Sequence, residues 1–416
     1  MPRPSRSKEP PGGAERPRLR AVGAACTALA ALAATSLVAG PAAAEHLARP
    51  CGLQRTTAHH SEGLTTWDDA YPRPRRTLDA ALVFLSFPGS RPRLAPARLA
   101  ADHFPATTRF YERASYGRFT LRPHVRPGWL RMPRPATAYR VQRDWAAADR
   151  AAFLRDAMAA ADPHVDFSRY DVVYFVADPD APGVNADATK VVNLARPFEA
   201  DGSAVRRLVT VFEKHPPDHN VLAHETGHMF DLPDLYRRPA DGKGGDWDTL
   251  VGDWDVMGSQ FGLAPDLFGW HKWKLGWLRR GQVACLQRGG STRLSLTPLS
   301  APGGGGTRLA VVRTGRTSAV AIEARDRSGN DAASCAEGVL IYRVHSTTAS
   351  GEGPVEVLDT HPHTSACVGG SVYPPLADAP LRPGERFLVQ RSPVRIEVSA
   401  GAPAATGRWP VTVTTG

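Results

Sequence analysis

Between Leu222 and Tyr236 the chain places His224 and His228 four residues apart, with Glu225 beside the first and Asp231, Pro233 and Asp234 just beyond. At about 100° per residue, the two imidazoles of a helix there point about 40° apart on one face, and Glu225 lies roughly 80° off their midline. Such a helix can present both rings to one divalent metal from the same side and keep the carboxylate for a water on that metal. The fold is constrained accordingly: the helix must be packed well enough to fix its rings, and the chain must turn soon after it to deliver a further ligand. Pro216, Pro217 and Asp218 supply a stop and an N-cap before Val221, and Pro233 ends the helix soon after His228. Gly227 costs about 1 kcal/mol relative to Ala inside a helix, so another part of the chain has to pack closely against that turn. The plainer alternative is a helix whose histidines bond backbone carbonyls and whose glutamate is solvated.

Zinc suits this donor set, lowering the pKa of a bound water toward ~7, and a neighbouring carboxylate can move the proton to a leaving amine. That is the chemistry of peptide hydrolysis. Farther along come Trp254, Asp255, Met257 and Gly258 in a Trp-Asp-x-Met-Gly run, then Lys274, Leu275, Gly276 and Trp277 in a tryptophan-rich stretch. With the His-Glu-x-Gly-His-x-x-x-Leu-Pro-Asp-Leu-Tyr run before them, these residues resemble the immune inhibitor A family of secreted metallopeptidases. Residues 110–120 and 170–175 are also similar to that family's catalytic domain, and the likeness is close over 79–278 and loose elsewhere. The resemblance implies an α/β zincin fold of the metzincin-like kind, with His224, His228 and Asp234 as zinc ligands and Glu225 as general base. It also implies that Met257 sits in a methionine-containing turn beneath the metal. Members usually carry glycine where this chain has Asp231. Glycine suits a reversal at positive φ and Asp tolerates it second best. Asp231→Gly is therefore expected to be tolerated or stabilising, with the Asp231 side chain pointing away from the metal.

A chain of 416 residues exceeds one ordinary core, and two domains with a terminal extension are expected. Arg16, Arg18 and Arg20 precede an uncharged run from Ala21 to Gly40, and Ala42, Ala43 and Ala44 provide small residues for a signal peptidase. Residues 1–44 read as a signal peptide, with an uncleaved anchor as the alternative. Six Lys/Arg and two Glu leave with them, so +6 of the +10 net charge remains. The arginines are scattered, and no stripe or module of a nucleic-acid binder appears. Protein or peptide substrates are the expected partners, without stable membrane association after processing. Four cysteines survive, and in an exported protein an even number reads as two disulfides. Cys335 and Cys367 share the C-terminal region and are paired, leaving Cys51 with Cys285. The alternative is Cys51 as a thiolate masking the zinc in a latent precursor.

Residues 45–78 are polar and read as an N-terminal extension or short propeptide whose His59 and His60 lie on the surface. The apolar run 81–87 predicts a buried strand, 100–114 a helix, 118–121 a strand, 145–161 a helix, 171–176 a strand and 207–212 a strand leading into the zinc helix. Together they predict a mixed α/β layer over 79–278. The loop 178–187 carries oxygen donors near a glycine and reads as either a Ca2+ loop or a polar turn. Beyond Trp277, short alternating runs separated by Gly, Pro and Ser predict an all-β C-terminal domain over 279–416, a sandwich or barrel. The expectation is a secreted zinc endopeptidase, with a non-catalytic binding or adhesion protein holding a structural zinc as the rival.

Overall fold

In a computed structural model of the chain, which describes residues 50–416 apart from 219, 240–244 and 264, the apolar run after Arg76 is an inner strand of a six-stranded sheet. The expected signal peptide and the first residues of the 45–78 segment lie outside the described residues. The sheet is ordered β2-β1-β4-β6-β5, built from β1 (Thr77–Ser86), β2 (Thr120–Val125), β4 (Val172–Ala177), β5 (Lys190–Ala200) and β6 (Ser203–Val211), with the short β3 (Leu130–Arg131) also on β1. All pairings are parallel except β5 with β6, so an antiparallel strand forms one edge.

Alternation along β1 explains the layering. Leu78, Ala80, Leu82 and Phe84 enter one core with α1 (Pro96–His103), α2 (Ala106–Ala114) and α4 (Val221–Met229), while Ala81, Val83 and Leu85 enter another with α3 (Ala147–Ala161). Each fully buried Phe or Leu in these layers contributes about 1.5–3 kcal/mol. The helix expected over 100–114 is in fact two. Pro105 lacks the N–H that would continue α1, and Phe104 before it is extended at φ −115°, ψ 133°. The antiparallel strand β5 escaped the sequence reading because Arg196 and Pro197 interrupt it where its register shifts between Asn193 and Phe198.

The C-terminal third is a two-sheet sandwich. One sheet holds β12 (Val355–Val357), β11 (Gly338–His345), β10 (Ser318–Arg325), β9 (Leu309–Arg313) and β7 (Val283–Leu286), antiparallel except for β7 on β9. The other holds β13 (Arg386–Leu388), β14 (Val394–Val398), β15 (Trp409–Thr415) and β8 (Gly290–Leu296). Val312, Ile322 and Ile341 of the first meet Ile396, Val411 and Val413 of the second. The opposite face of the five-stranded sheet, through Val311, Ala321 and Tyr342, shares a core with Trp270 and Trp273 of α5 (Gly269–Lys274). Mixed α/β structure is thus followed by antiparallel β structure, and the two parts share apolar packing.

Residues 51–64 are not a surface arm. Cys51, Leu53, His60, Ser61, Glu62 and Leu64 are all buried, whereas His59 is exposed as expected. Cys51 is bonded to Cys285 and Cys335 to Cys367, with Cα separations of 5.4 and 6.0 Å, so Cys51 is no thiolate mask. Among the described residues no helix is long and apolar enough to cross a membrane.

Candidate metal centre

Asp218 begins the local structure of the site. Its Oδ1 accepts the N–H of Asn220 at 3.0 Å and its carbonyl that of Val221, which bends the chain into α4. Every residue of α4 is buried. Tyr111 donates to the carbonyl of Ala223 at 2.5 Å, and the Tyr174 and Thr226 hydroxyls share a 2.5 Å hydrogen bond, fixing the helix between α2 and the sheet. The helix closes in a Schellman pattern: the N–H of Leu232 bonds the carbonyl of Gly227 and that of Asp231 the carbonyl of His228. The left-handed residue of that motif is Asp231, at φ 64°. The turn then carries Pro233 and Asp234 back over the helix.

This geometry brings three of the expected residues together. One ligand atom from each of His224, His228 and Asp234 lies within 4.8 Å of the others, the one such group of three or more His, Cys, Asp or Glu among the described residues. The acidic loop 178–187 forms no such group; Asp178 accepts instead from Ser90 and the backbone of Asp180. His224 Nδ1 lies 2.7 Å from the carbonyl of Val256 and His228 Nδ1 2.8 Å from that of Leu232. A carbonyl only accepts, so each Nδ1 carries the proton and each Nε2 faces the site. Both Nε2 atoms point at Asp234 Oδ1, at 3.2 and 3.1 Å. Two imidazole nitrogens and a carboxylate oxygen aimed at one point fit a zinc ion with its fourth position open.

Burial works against every charge here, and Asp234 and the two histidines counter it between themselves. Burial favours a protonated Asp234, yet His228 and His224 outweigh it and hold the carboxyl well below its usual range. Burial likewise disfavours the imidazolium, and Asp234 reverses that, raising His224 and pushing His228 up to about 9. Glu225 is raised by burial, against the pull of His224, His228 and the Val191 N–H, which donates to its Oε2 at 2.6 Å.

Met257 is fully buried beneath α4, and its sulphur occupies the space that Gly227 leaves: a Cβ there would stand 2.4 Å from Sδ. This is the close packing that a helical glycine demands. Asp255 shapes the turn around Met257, accepting the Met257 N–H at 2.8 Å and the Phe268 N–H at 2.6 Å. His271 joins Asp255, at 2.9 Å, to Glu62, at 2.7 Å, with all three side chains excluded from solvent. Glu323 accepts from Gly269 N–H and the Tyr342 hydroxyl, tying α5 to the β sandwich, so its role is structural.

Several supporting residues carried no local signal. Ser350 donates to Asp234 Oδ2 at 3.1 Å and accepts the Asp234 N–H at 2.8 Å from 116 residues away. Asp231 points away from the metal group, as expected, but into a buried cluster: Arg55 Nη1 at 2.5 Å, His60 Nδ1 at 3.1 Å and Lys274 Nζ at 3.5 Å. The expectation that glycine would serve there as well considered the backbone and missed these partners. His60, expected on the surface, is 3% exposed and its ring centre is 5.6 Å from that of His228. The ring centre of Tyr236 lies 5.4 Å from that of Trp247.

Neither a family model nor a curated protein matches the chain. Among solved structures it is similar to OgpA from Akkermansia muciniphila in two crystal forms, at 11% identity in both. One alignment covers 83% of this chain and 94% of that chain at a TM-score of 0.28, the other 71% and 94% at 0.27. At such scores the architecture rests on the chain's own geometry.

Proposed function

We propose that the chain is a secreted zinc-dependent endopeptidase of the zincin type, with His224, His228 and Asp234 as zinc ligands and Glu225 as general base, as the resemblance to the immune inhibitor A family implies. The observation that carries this reading is the convergence of two Nε2 atoms on one oxygen of Asp234, with Glu225 oriented beside them by the Val191 N–H. A purely structural zinc site has no use for Glu225. Zinc held there would supply Lewis acidity and a water acidified toward ~7. Glu225 takes a proton from the attacking water and passes it to the leaving nitrogen. The Val256 and Leu232 carbonyls keep both imidazoles in the tautomer that offers Nε2, and Ser350 keeps Asp234 turned toward them. Two disulfides favour an oxidising, extracellular setting.

The test is a peptide-library digest with and without a chelator, with zinc content measured on the same samples. Glu225→Ala should retain zinc and lose cleavage by ~10²- to 10⁴-fold, and Asp234→Ala should lose zinc. Cleavage by Glu225→Ala within a few-fold of wild type rejects the assignment. A wild-type chain that binds zinc but cleaves nothing favours the binding-protein reading.

A further inference from the structure

One side of the site is walled by cations around an indole. β5 starts at Lys190, next to the Val191 N–H that holds Glu225. Lys190 Nζ donates to the carbonyl of Arg143 at 2.6 Å. The guanidinium carbon of Arg143 lies 4.7 Å from the ring centre of Trp247, and that of Arg238 lies 4.8 Å from the same ring. Trp247 packs on Tyr236, two residues after Asp234. Contacts therefore run from Lys190, beside the residue that holds Glu225, through Arg143 to Trp247, which Arg238 and Tyr236 also touch.

Two arginines nearby in the chain have carboxylate partners. Arg134 is paired with Asp156 and Arg140 with Asp149. Among the described residues, Lys190, Arg143 and Arg238 have no carboxylate within ion-pair distance. Arg143 and Arg238 are exposed and Lys190 half-buried, so an incoming anion can reach all three. A guanidinium resting on an indole is held by cation–π attraction and keeps its in-plane N–H donors for a planar carboxylate. The pKa of Lys190 is lowered, by burial first and then by Arg150 and Arg238, with Glu225 and Asp144 pulling the other way.

We propose that this wall is a subsite for acidic side chains, so that the enzyme prefers peptides with Asp or Glu within one or two residues of the scissile bond. The inference rests on the peptidase reading above and names its substrate class. It is tested with matched peptides that differ only in Glu, Gln or Lys at that position, read in two ways: kcat/KM with the wild-type chain, and equilibrium binding by fluorescence polarisation with Glu225→Ala. The Glu peptide should be favoured over Gln by roughly ten-fold at low salt, as two or three partly exposed charge pairs supply, and the preference should shrink as salt rises. Arg143→Gln with Arg238→Gln should abolish the preference, and Arg143→Glu with Arg238→Glu should turn it toward the Lys peptide. Equal kcat/KM for Glu and Gln peptides overturns the subsite and leaves the peptidase standing. If no peptide is cleaved, the peptidase reading fails instead, and polarisation still decides: tighter binding of the Glu peptide upholds the subsite and equal binding overturns it.

Discussion

Replacing Asp231 with glycine sets two effects against each other at one residue. At φ 64° an L-residue carries a backbone cost of about 1 kcal/mol that glycine removes, and the looser unfolded chain of the glycine variant cancels about 0.4–1 kcal/mol of that gain. The backbone alone therefore predicts a change near zero. The side chain decides the outcome. Its carboxylate is fully buried, 2.5 Å from Arg55 and 3.5 Å from Lys274, and the Lys274 side chain is only 2% exposed. Without it, Lys274 keeps, among the described residues, the carbonyls of Ser61 and residue 231 as partners. Breaking a buried pair from one side costs about 3–5 kcal/mol, reduced here because Arg55 reaches some solvent. The predicted net loss is about 2–4 kcal/mol, read as a lower urea midpoint at unchanged m-value. Adding Lys274→Met to Asp231→Gly should recover part of the loss, since the stranded charge is then gone. A midpoint for Asp231→Gly at or above wild type would refute the reasoning and restore the backbone-only expectation.

Gly227→Ala should destabilise by roughly 1–3 kcal/mol in spite of alanine's higher helix propensity, because the new Cβ meets the Met257 sulphur; a denaturant midpoint that falls as far in a Met257→Ala background would contradict this. His103 is buried, and burial lowers its pKa from 6.5 to about 4. The folded chain then binds fewer protons than the unfolded one between those values, so the stabilisation is present above pH 6.5 and is lost as pH falls through the window toward 4, by up to roughly 3 kcal/mol. Midpoints at pH 7 and pH 4.5 should differ less in His103→Leu than in wild type, and parallel curves would exclude the effect. Cys51→Ser with Cys285→Ser opens a loop with a sequence separation of 234, worth about 5 kcal/mol in the chain-entropy model. Thermal unfolding should show that loss, and thiol titration of the unreduced, unfolded chain should find none of these four cysteines free.

The spacing of His224, Glu225 and His228 was legible because a helix converts sequence intervals into directions, and the alternating strands of the sandwich were legible because a sheet does the same with period two. Gly227 pointed to a close neighbour without naming it, and Met257 is that neighbour. What escaped lies where polar residues are buried by distant partners. Arg55, His60 and Glu62 look like surface residues in a polar stretch, and only Asp231 and His271 make them interior. Ser350 had no signal at all, being an ordinary serine in a turn until the fold sets it against Asp234. β5 was lost to Pro197, which reads as a strand breaker yet is accommodated at an edge with a register shift.

The tie between residues 51–64 and the turn after α4 bears on when the candidate metal centre can form. Its contacts span long intervals: 171 residues from His60 to Asp231, 209 from Glu62 to His271 and 234 between the bonded Cys51 and Cys285. Contacts of such range form slowly and late, because the loops they close must first be ordered. A nascent chain that has just passed Asp234 therefore holds all three candidate ligands, while Met257, His271, Cys285 and Ser350 are still to be made. A fragment beginning at residue 79 would lack Arg55, His60 and Glu62 permanently. On the peptidase reading, dependence on residues so far apart in the chain is a safeguard in time: the motif is made well before the supports that would let it cut.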